Sequence, residues 1–298
     1  MSPAARPPGG GAPSVVSVGE AGAQPAAEGA AGGPADMVPA DPWVALRRHT
    51  AARIALGRVG SSLPTAEVLR FGVAHALARD AVHAAFDAEA LAAQLQAHGF
   101  ATAIVHSAAP DRATYLRRPD LGRRLAPESR RALASPAPAT VAGTVQIVVG
   151  DGLSSTAVQR HALPLLLALR PRLEADGWGL APIVLARQAR VALGDEIGEC
   201  VNADAVLMLI GERPGLSSPD SLGAYLTWAP RIGCADSKRN CVSNIRPDGL
   251  AVASAAYRIA WLLAAARRLR GTGVMLKDES ADAPAAIDRG SSRVSGQA

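Results

Sequence analysis

The residues best placed to do chemistry lie in two loops that follow apolar runs. One is Gly150 to Ser155, after Val-Gln-Ile-Val-Val, and the other starts at Gly211, after Ala-Val-Leu-Met-Leu-Ile. The second loop opens with Glu212-Arg213-Pro214-Gly215, which places opposite charges directly after a predicted buried strand. A carboxylate there needs an amide, a ligand or its neighbouring arginine as a partner. Glu212 is therefore a candidate binding residue, and the alternative is a surface ion pair with Arg213 that contributes little.

The first loop only partly matches the Gly-Asp-Ser nucleophile motif of one lipase-esterase family. Gly152 occupies the nucleophile position, and the last of the six histidines is His161. The catalytic base would have to be His161 or an earlier histidine, against the chain order of that family. The sequence therefore disfavours a hydrolase.

Metal and nucleotide motifs are also incomplete. Cys234 and Cys241 lack the Cys-x-x-Cys spacing of zinc sites. His75 and His83 are two helical turns apart, which favours core or interface histidines. There is no Gly-x-x-x-x-Gly-Lys-Ser/Thr loop for a nucleotide phosphate. On spacing alone, the chain has no complete catalytic set and no metal site.

Composition narrows the possible partners. The chain has 298 residues, 49% of them hydrophobic, and a formal charge of +5. Its arginines are spread out without interleaved aromatics, which disfavours nucleic acid. No apolar run is long enough for a membrane span. Three cysteines without a secretory signal before them favour reduced thiols in the cytosol.

Alternating strands and helices would position the two loops. Short β-branched or apolar runs predict strands at residues 145–149, 183–185, 205–210 and 225–228, and helices are expected from about Ser155 and from Leu250 to Arg270. This alternation predicts an α/β fold with a Rossmann-like, doubly wound parallel sheet over residues 144–280. Ligands of such sheets bind beyond the carboxyl ends of the strands.

The rest of the chain is predicted to be helical or irregular. Residues 1–40, rich in Ala, Gly and Pro, are expected to be disordered. A helical domain is predicted over 41–126, starting at the cap Asp41 and including a helix from Ala88 to Ala97 that Gly99 stops. Residues 127–143 are expected to be a linker, and 281–298 a polar tail.

Longer motifs add a resemblance to a known family. These motifs include RVALGDEIGE from Arg190, and the most specific are GERPGLSSPDS from Gly211 and RNCVSNIRP from Arg239. From about Pro42 to Asp278 the chain resembles the small subunit of ethanolamine ammonia-lyase, with the family's motifs in order.

This resemblance implies an adenosylcobalamin-dependent radical conversion of ethanolamine to acetaldehyde and ammonia. It also implies a large-subunit partner, a β/α barrel that holds the substrate, in a hetero-oligomer with several copies of each subunit. The small subunit would cover cobalamin at the interface, which would explain why this chain lacks a catalytic set. The alternatives are a cobalamin carrier or reactivation factor of the same fold, and an independent nucleotide-using enzyme.

The resemblance also implies three cobalamin-contacting residues, which are Val191, Glu212 and Cys241. Val191 could offer backbone groups or an apolar face, Glu212 could accept hydrogen bonds from a ligand, and Cys241 could pack on the macrocycle as a soft side chain. A buried structural thiol is the alternative for Cys241. The segment from Gly211 to Leu250 is expected to supply a loop after a central strand and a second loop ending at Cys241.

Two further expectations concern the cofactor's form and the protein's location. The Asp-x-His-x-x-Gly motif of other cobalamin binders is missing, so the cofactor should stay base-on, without a protein histidine on cobalt. Some family members are enclosed in a bacterial microcompartment through short amphipathic targeting helices. Residues 1–40 show no such helix, so a cytosolic complex is expected and the microcompartment is left open.

Overall fold

The computed structural model describes residues 41–50, 52–134 and 143–281 of the chain. The predicted disordered segment 1–40 and almost all of the predicted tail, from 282 onward, lie outside these residues. The chain divides into two compact units, one ending at Pro64 and the other beginning at Thr65.

In the first unit, a 3-10 helix spans Pro42–His49. The Asp41 side chain accepts a hydrogen bond from the Trp43 backbone N–H at 2.9 Å, which caps the helix. The helix start predicted at Asp41 is therefore confirmed. Arg47 donates to the Ile54 carbonyl at 3.0 Å and thereby fixes the chain that follows the helix.

The second unit is a mixed α/β structure, which confirms the predicted fold class at this level. Its helices, numbered in chain order, are α1 (Thr65–His83), α2 (Ala88–Ala97), α3 (Arg112–Arg117), α4 (Pro127–Ala134), α5 (Ser155–Ala175), α6 (Leu193–Cys200) and α7 (Val252–Leu269). Its strands are β1 (Thr102–His106), β2 (Thr144–Gly150), β3 (Gly179–Leu180), β4 (Ile183–Arg187), β5 (Ala205–Gly211), β6 (Leu222–Trp228) and β7 (Arg239–Ile245). None of the helices in the described part of the chain is long and apolar enough to cross a membrane.

The seven strands form one sheet in the order β1-β4-β2-β5-β6-β7, with β3 paired to β2. Strands β1, β4, β2 and β5 run parallel, whereas β6 is antiparallel to both of its neighbours. The expectation of an entirely parallel sheet is therefore wrong at β6. Only a short loop, residues 212–221, separates β5 from β6, and a parallel neighbour would need a longer crossover.

Helices cover both faces of the sheet. Val145, Ile147 and Val149 point to the face covered by α2, α5 and α7. The alternate residue Val148 packs with Leu193 and with other apolar residues on the opposite face, where α6 lies. Because β2 is buried along its whole length, it anchors the sheet and fixes the loop that follows it.

Two predictions for the first half of the chain are wrong. Strand β1 lies inside the stretch 41–126 that was expected to contain helices alone, and it pairs with β4 at the sheet edge. Helix α4 occupies Pro127–Ala134, the first half of the predicted linker, whereas residues 135–142 lie outside the described residues. The helix at Ala88–Ala97 is confirmed, and Gly99 follows it with a φ of +77°, as a stop signal requires.

Candidate binding site at the carboxyl edge of the sheet

The loops after β2 and β5 meet backbone to backbone. The Leu153 N–H donates to the Gly211 carbonyl at 2.9 Å. A Cβ atom on Gly152 would lie 2.2 Å from the Gly211 carbonyl oxygen, and one on Gly211 would lie 2.0 Å from the Ser154 oxygen. Both positions therefore need glycine. The close approach of the two backbones fixes the position of Gly211 and hence of Glu212, which follows it.

Asp151 ties the loop after β2 to the loop after β4. Its buried carboxylate accepts hydrogen bonds from the backbone N–H groups of Ala189 at 2.8 Å and Gln188 at 3.0 Å. The guanidinium of Arg112 lies 3.4 Å from the same carboxylate and donates to the Gly152 carbonyl at 2.8 Å. Asp151 is thus a positioning residue for the short segment that leads to Val191.

The carboxylate of Glu212 is held by donors from the loop and from β7. Ser221 donates its hydroxyl to one carboxylate oxygen, and the Asn244 backbone N–H donates to the same oxygen at 3.1 Å. Ser243 donates its hydroxyl to the other oxygen at 2.6 Å. Among the described residues there is no salt bridge between Glu212 and Arg213, so the surface ion pair is wrong as an account of Glu212.

The far end of the Glu212 loop is anchored on α5. Asp220 lies 3.2 Å from Arg160 and 3.3 Å from His161, both on that helix. Burial raises the pKa of the Asp220 carboxyl, but hydrogen bonds from Arg160 and His161 outweigh it and hold the pKa below its ordinary value. The loop is therefore fixed at both ends, by glycine contacts at Gly211 and by an ionised carboxylate at Asp220.

Two adjoining cavities bring the three implied contact residues together. One cavity, of about 390 Å³, is lined by Val191 and Glu212, and the other, of about 350 Å³, is lined by Val191 and Cys241. The cavities share three lining residues, Arg190, Val191 and Tyr225. Val191 lies between β4 and α6, after the second predicted strand as expected.

Cys241 lies in strand β7 and not at the end of a loop, which corrects the expectation for this segment. It pairs in register with Tyr225 on β6, so the two side chains share one face of the sheet. The residue as a whole is exposed, but desolvation of its thiol raises the pKa above the ordinary value. Cys241 therefore presents a neutral thiol to the cavity at neutral pH.

A buried ion pair lies beside the cavity that Cys241 lines. Arg239, on β7, contacts Asp195 of α6 at 2.5 Å, and their side chains are 4% and 1% exposed. Arg239 also donates to the Thr227 hydroxyl at 3.1 Å and to the Cys234 carbonyl at 2.9 Å. The pair thus links α6, which follows Val191, to the strand that carries Cys241.

Sequence reasoning missed several residues of this site, chiefly Arg190, Tyr225, Arg239 and Tyr115. It placed Asp151 in a candidate loop but gave this residue no role. Arg190 and Arg239 are the first residues of two of the motifs that carry the family resemblance. Their place in these motifs was the only indication in the sequence that they belong to the site. Tyr115 lies on α3, far from the other residues in sequence, and donates its hydroxyl to the Ala189 carbonyl at 2.9 Å. In the described residues, no group of three or more His, Cys, Asp or Glu side chains could hold a metal ion.

Comparisons with known proteins give one family. Residues 40–277 match the model for "Ethanolamine ammonia-lyase light chain (EutC)". The chain is 56% identical over 245 residues to the ethanolamine ammonia-lyase small subunit of Ralstonia nicotianae, covering 82% of this chain and 90% of that protein. It is 57% identical over 241 residues to the protein of the same name from Azotobacter vinelandii, covering 80% and 89%. The small subunit from Pseudomonas syringae pv. tomato is 55% identical over 246 residues, covering 82% and 86%.

Proposed function

Because the chain belongs to the ethanolamine ammonia-lyase small-subunit family, we propose that it forms part of an adenosylcobalamin-dependent complex that converts ethanolamine to acetaldehyde and ammonia. In this proposal, a large subunit with a β/α-barrel fold holds the substrate, and this chain forms one side of the cofactor site. The observation that carries the proposal is the convergence of Val191, Glu212 and Cys241 on two adjoining cavities. The strand order and the two covered faces support a Rossmann-like, doubly wound description of the sheet.

The residues that line the two cavities have the chemistry to bind adenosylcobalamin. A corrin ring has large apolar faces and many peripheral amides, and the lining combines apolar Val191 and Ile210 with polar Tyr225 and with arginines. Arg190 leaves its buried Nε atom without a hydrogen-bond partner, so the protein alone does not satisfy this side chain. When bound, the cofactor supplies the radical by homolysis of its cobalt–carbon bond.

The residues of this chain would bind and orient the cofactor without taking part in bond breaking. Val191 would offer an apolar contact, and the neutral thiol of Cys241 a soft one. Three protein donors already occupy the carboxylate of Glu212. Glu212 would therefore act mainly by holding its loop in the position that shapes the cofactor site. Binding of this kind positions the cofactor and excludes water from one side of it.

Helix α1 supports a contact with the large subunit. Leu69, Val73 and Leu77, spaced by four residues, form one stripe on the helix, and they are 65%, 61% and 53% exposed. The sequence places these residues near one side of a helix, and the structure leaves that side uncovered. Beyond the C-terminal end of α1, the Ala84 carbonyl accepts a hydrogen bond from Ser155 at 2.6 Å, next to the loop after β2. The C-terminal end of α1 is therefore held next to the loop after β2. We assign the exposed apolar stripe of this helix to the large subunit.

The cofactor should stay base-on in this complex. No histidine is among the residues that line the two cavities. Electron paramagnetic resonance of the paramagnetic holoenzyme should show superhyperfine coupling to the nitrogen of dimethylbenzimidazole. Labelling the protein's histidines with nitrogen-15 should leave the spectrum unchanged, and a change would contradict this expectation.

Replacing Glu212 with glutamine should weaken cobalamin binding by about tenfold while leaving subunit assembly intact. Both carboxylate oxygens of Glu212 accept hydrogen bonds, from Ser221, Ser243 and the Asn244 N–H. In glutamine an NH2 group replaces one of these oxygens and cannot accept, so at least one hydrogen bond would be lost. Equilibrium dialysis with the assembled complex would measure the affinity. Ser243→Ala is the matched control, because it removes one donor and keeps the charge, and its effect should be smaller. Unchanged affinity in Glu212→Gln would mean that the loop does not shape the cofactor site.

Co-expression with a large subunit tests the proposal as a whole. Acetaldehyde should form only when both subunits and adenosylcobalamin are present. Full activity from the large subunit alone would defeat the assignment, and so would turnover by this chain alone. A carrier or reactivation factor would bind cobalamin and leave the activity of the large subunit independent of this chain.

A further inference from the structure

The two cavities contain more positive than negative charge. Four arginines line them, which are Arg123, Arg190, Arg213 and Arg239, against the two carboxylates of Glu212 and Asp236. Arg239 is neutralised by Asp195 and Asp236. The other three arginines form no salt bridge with any described residue.

Arg190 is held in place by Tyr115 and has no carboxylate partner among the described residues. Its guanidinium stacks 4.2 Å from the centre of the Tyr115 ring and donates to the Tyr115 carbonyl at 3.3 Å. Gly122 packs against both side chains, because a Cβ atom on it would lie 2.9 Å from Arg190 Cγ and 2.9 Å from the Tyr115 ring. The side chain is therefore fixed in place with little room to swing toward a distant partner.

A fixed, partly buried guanidinium without a carboxylate partner carries a desolvation cost that an anion in the cavity would offset. Arg190 lines both cavities, so an anion there would lie where the two adjoin. Arg213 lines one of the same cavities, and Glu212 does not form a salt bridge with it. A guanidinium offers parallel N–H donors that match two oxygens of a phosphate group.

We infer that Arg190, together with Arg213 in the lining of the same cavity, forms a phosphate-binding subsite. The inference rests on the proposed function for the source of that phosphate, which is the phosphodiester in the nucleotide loop of adenosylcobalamin. The same chemistry would also accept free inorganic phosphate. Arg190 would thus make the site select cobalamins with a complete nucleotide loop over those that lack one.

The first experiment measures binding of adenosylcobalamin and of adenosylcobinamide, which lacks the phosphate, ribose and base. In the complex with the large subunit, Arg190→Met should weaken adenosylcobalamin binding by about 10- to 100-fold and change adenosylcobinamide binding by less than about twofold. Arg190→Lys keeps the charge and loses the paired donors, so it should lie between wild type and Arg190→Met. Arg118→Met, at an exposed arginine outside the cavities, is the control and should change neither affinity. Equal losses for both ligands in Arg190→Met would overturn the assignment.

The second experiment uses inorganic phosphate and the full chain, and does not depend on the cofactor. In a titration followed by phosphorus NMR, phosphate should bind wild type and Arg118→Met alike, with an affinity at least about tenfold weaker for Arg190→Met. Equal binding to all three proteins, or to none, would overturn the subsite. If the wild-type complex binds phosphate but neither cobalamin nor cobinamide, the subsite stands and the proposed function fails.

Discussion

Replacing Arg239 with methionine should lower the free energy of unfolding by about 3–5 kcal/mol, because it leaves the carboxylate of Asp195 buried without a cation. Asp195 Oδ1 contacts Arg239 at 2.5 Å, and Asp195 Oδ2 has no hydrogen-bond partner among the described residues. The other three interactions of the guanidinium, with Thr227, Cys234 and Asp236, are lost as well. Urea unfolding followed by circular dichroism would measure the difference.

The loss of stability in Arg239→Met should depend on pH. Burial raises the pKa of Asp195, and in the wild type hydrogen bonding to Arg239 opposes that rise. Without Arg239 the folded-state pKa of Asp195 lies further above the unfolded value. The contribution of Asp195 to the stability of the variant is therefore most favourable at low pH and is lost as pH rises through the folded pKa. The difference from wild type should therefore be smaller at about pH 5 than at about pH 8.

Two controls separate this effect from a general loss of an arginine. Arg258 pairs with Asp278 at 3.3 Å, but the two side chains are 38% and 32% exposed, so Arg258→Met should cost less than about 1 kcal/mol. Adding Asp195→Asn to Arg239→Met should recover part of the stability, because no buried charge then remains. A single Arg239→Met variant as stable as Arg258→Met would contradict the prediction.

The strands that the sequence predicted are those with a continuous apolar run. The cores of β2 and β5 are buried on both faces of the sheet and contain β-branched or long aliphatic residues. These continuous apolar runs are recognisable from the sequence alone. Of the strands that were missed, β3 has only two residues and pairs with β2, and β1 and β7 lie at the two edges of the sheet. β1 has one buried residue, Val105, and β7 has two, Val242 and Ile245, separated by two exposed polar residues.

The residues of the candidate site also divide into those that the local sequence predicted and those that it did not. Glu212 could be found because it directly follows a buried strand, where an acidic residue needs a partner. Two of its three partners, Ser243 and Asn244, lie about 30 residues away along the chain, and no local pattern connects them to Glu212. Val191 and Cys241 came only from the family resemblance, which the comparisons confirm at the level of the family. Their contact with cobalamin stays a prediction.

The pairing of Arg190 with Tyr115 shows what spacing alone cannot give. The two residues are 75 positions apart and meet because α3 and the loop after β4 lie at the same edge of the sheet. Asp151 holds that loop from β2, so the position of Arg190 depends on three separate parts of the chain. Only the folded structure shows that one cation at this edge is fixed in place and without a carboxylate.

Replacing Val73 with glutamate should weaken assembly with the large subunit by 100-fold or more and lower ethanolamine ammonia-lyase activity with it. Val73 is the middle residue of the α1 stripe and is 61% exposed, so a charge there costs the folded chain little. In the interface, the carboxylate would be buried without a partner, at a cost of about 3–5 kcal/mol, which weakens association by 100-fold or more. Analytical ultracentrifugation of the mixed subunits would measure the association.

The matched control introduces the same side chain on the same helix. Arg79→Glu lies off the stripe, at an exposed position, and should assemble with an affinity within about tenfold of wild type. Circular dichroism should show that both variants fold like the wild type, because neither replaced residue is buried. If Val73→Glu assembles as well as Arg79→Glu does, the stripe does not contact the large subunit. Loss of assembly in Val73→Glu alone, with phosphate binding retained, would place the subunit contact on α1 and separate it from the cofactor cavities.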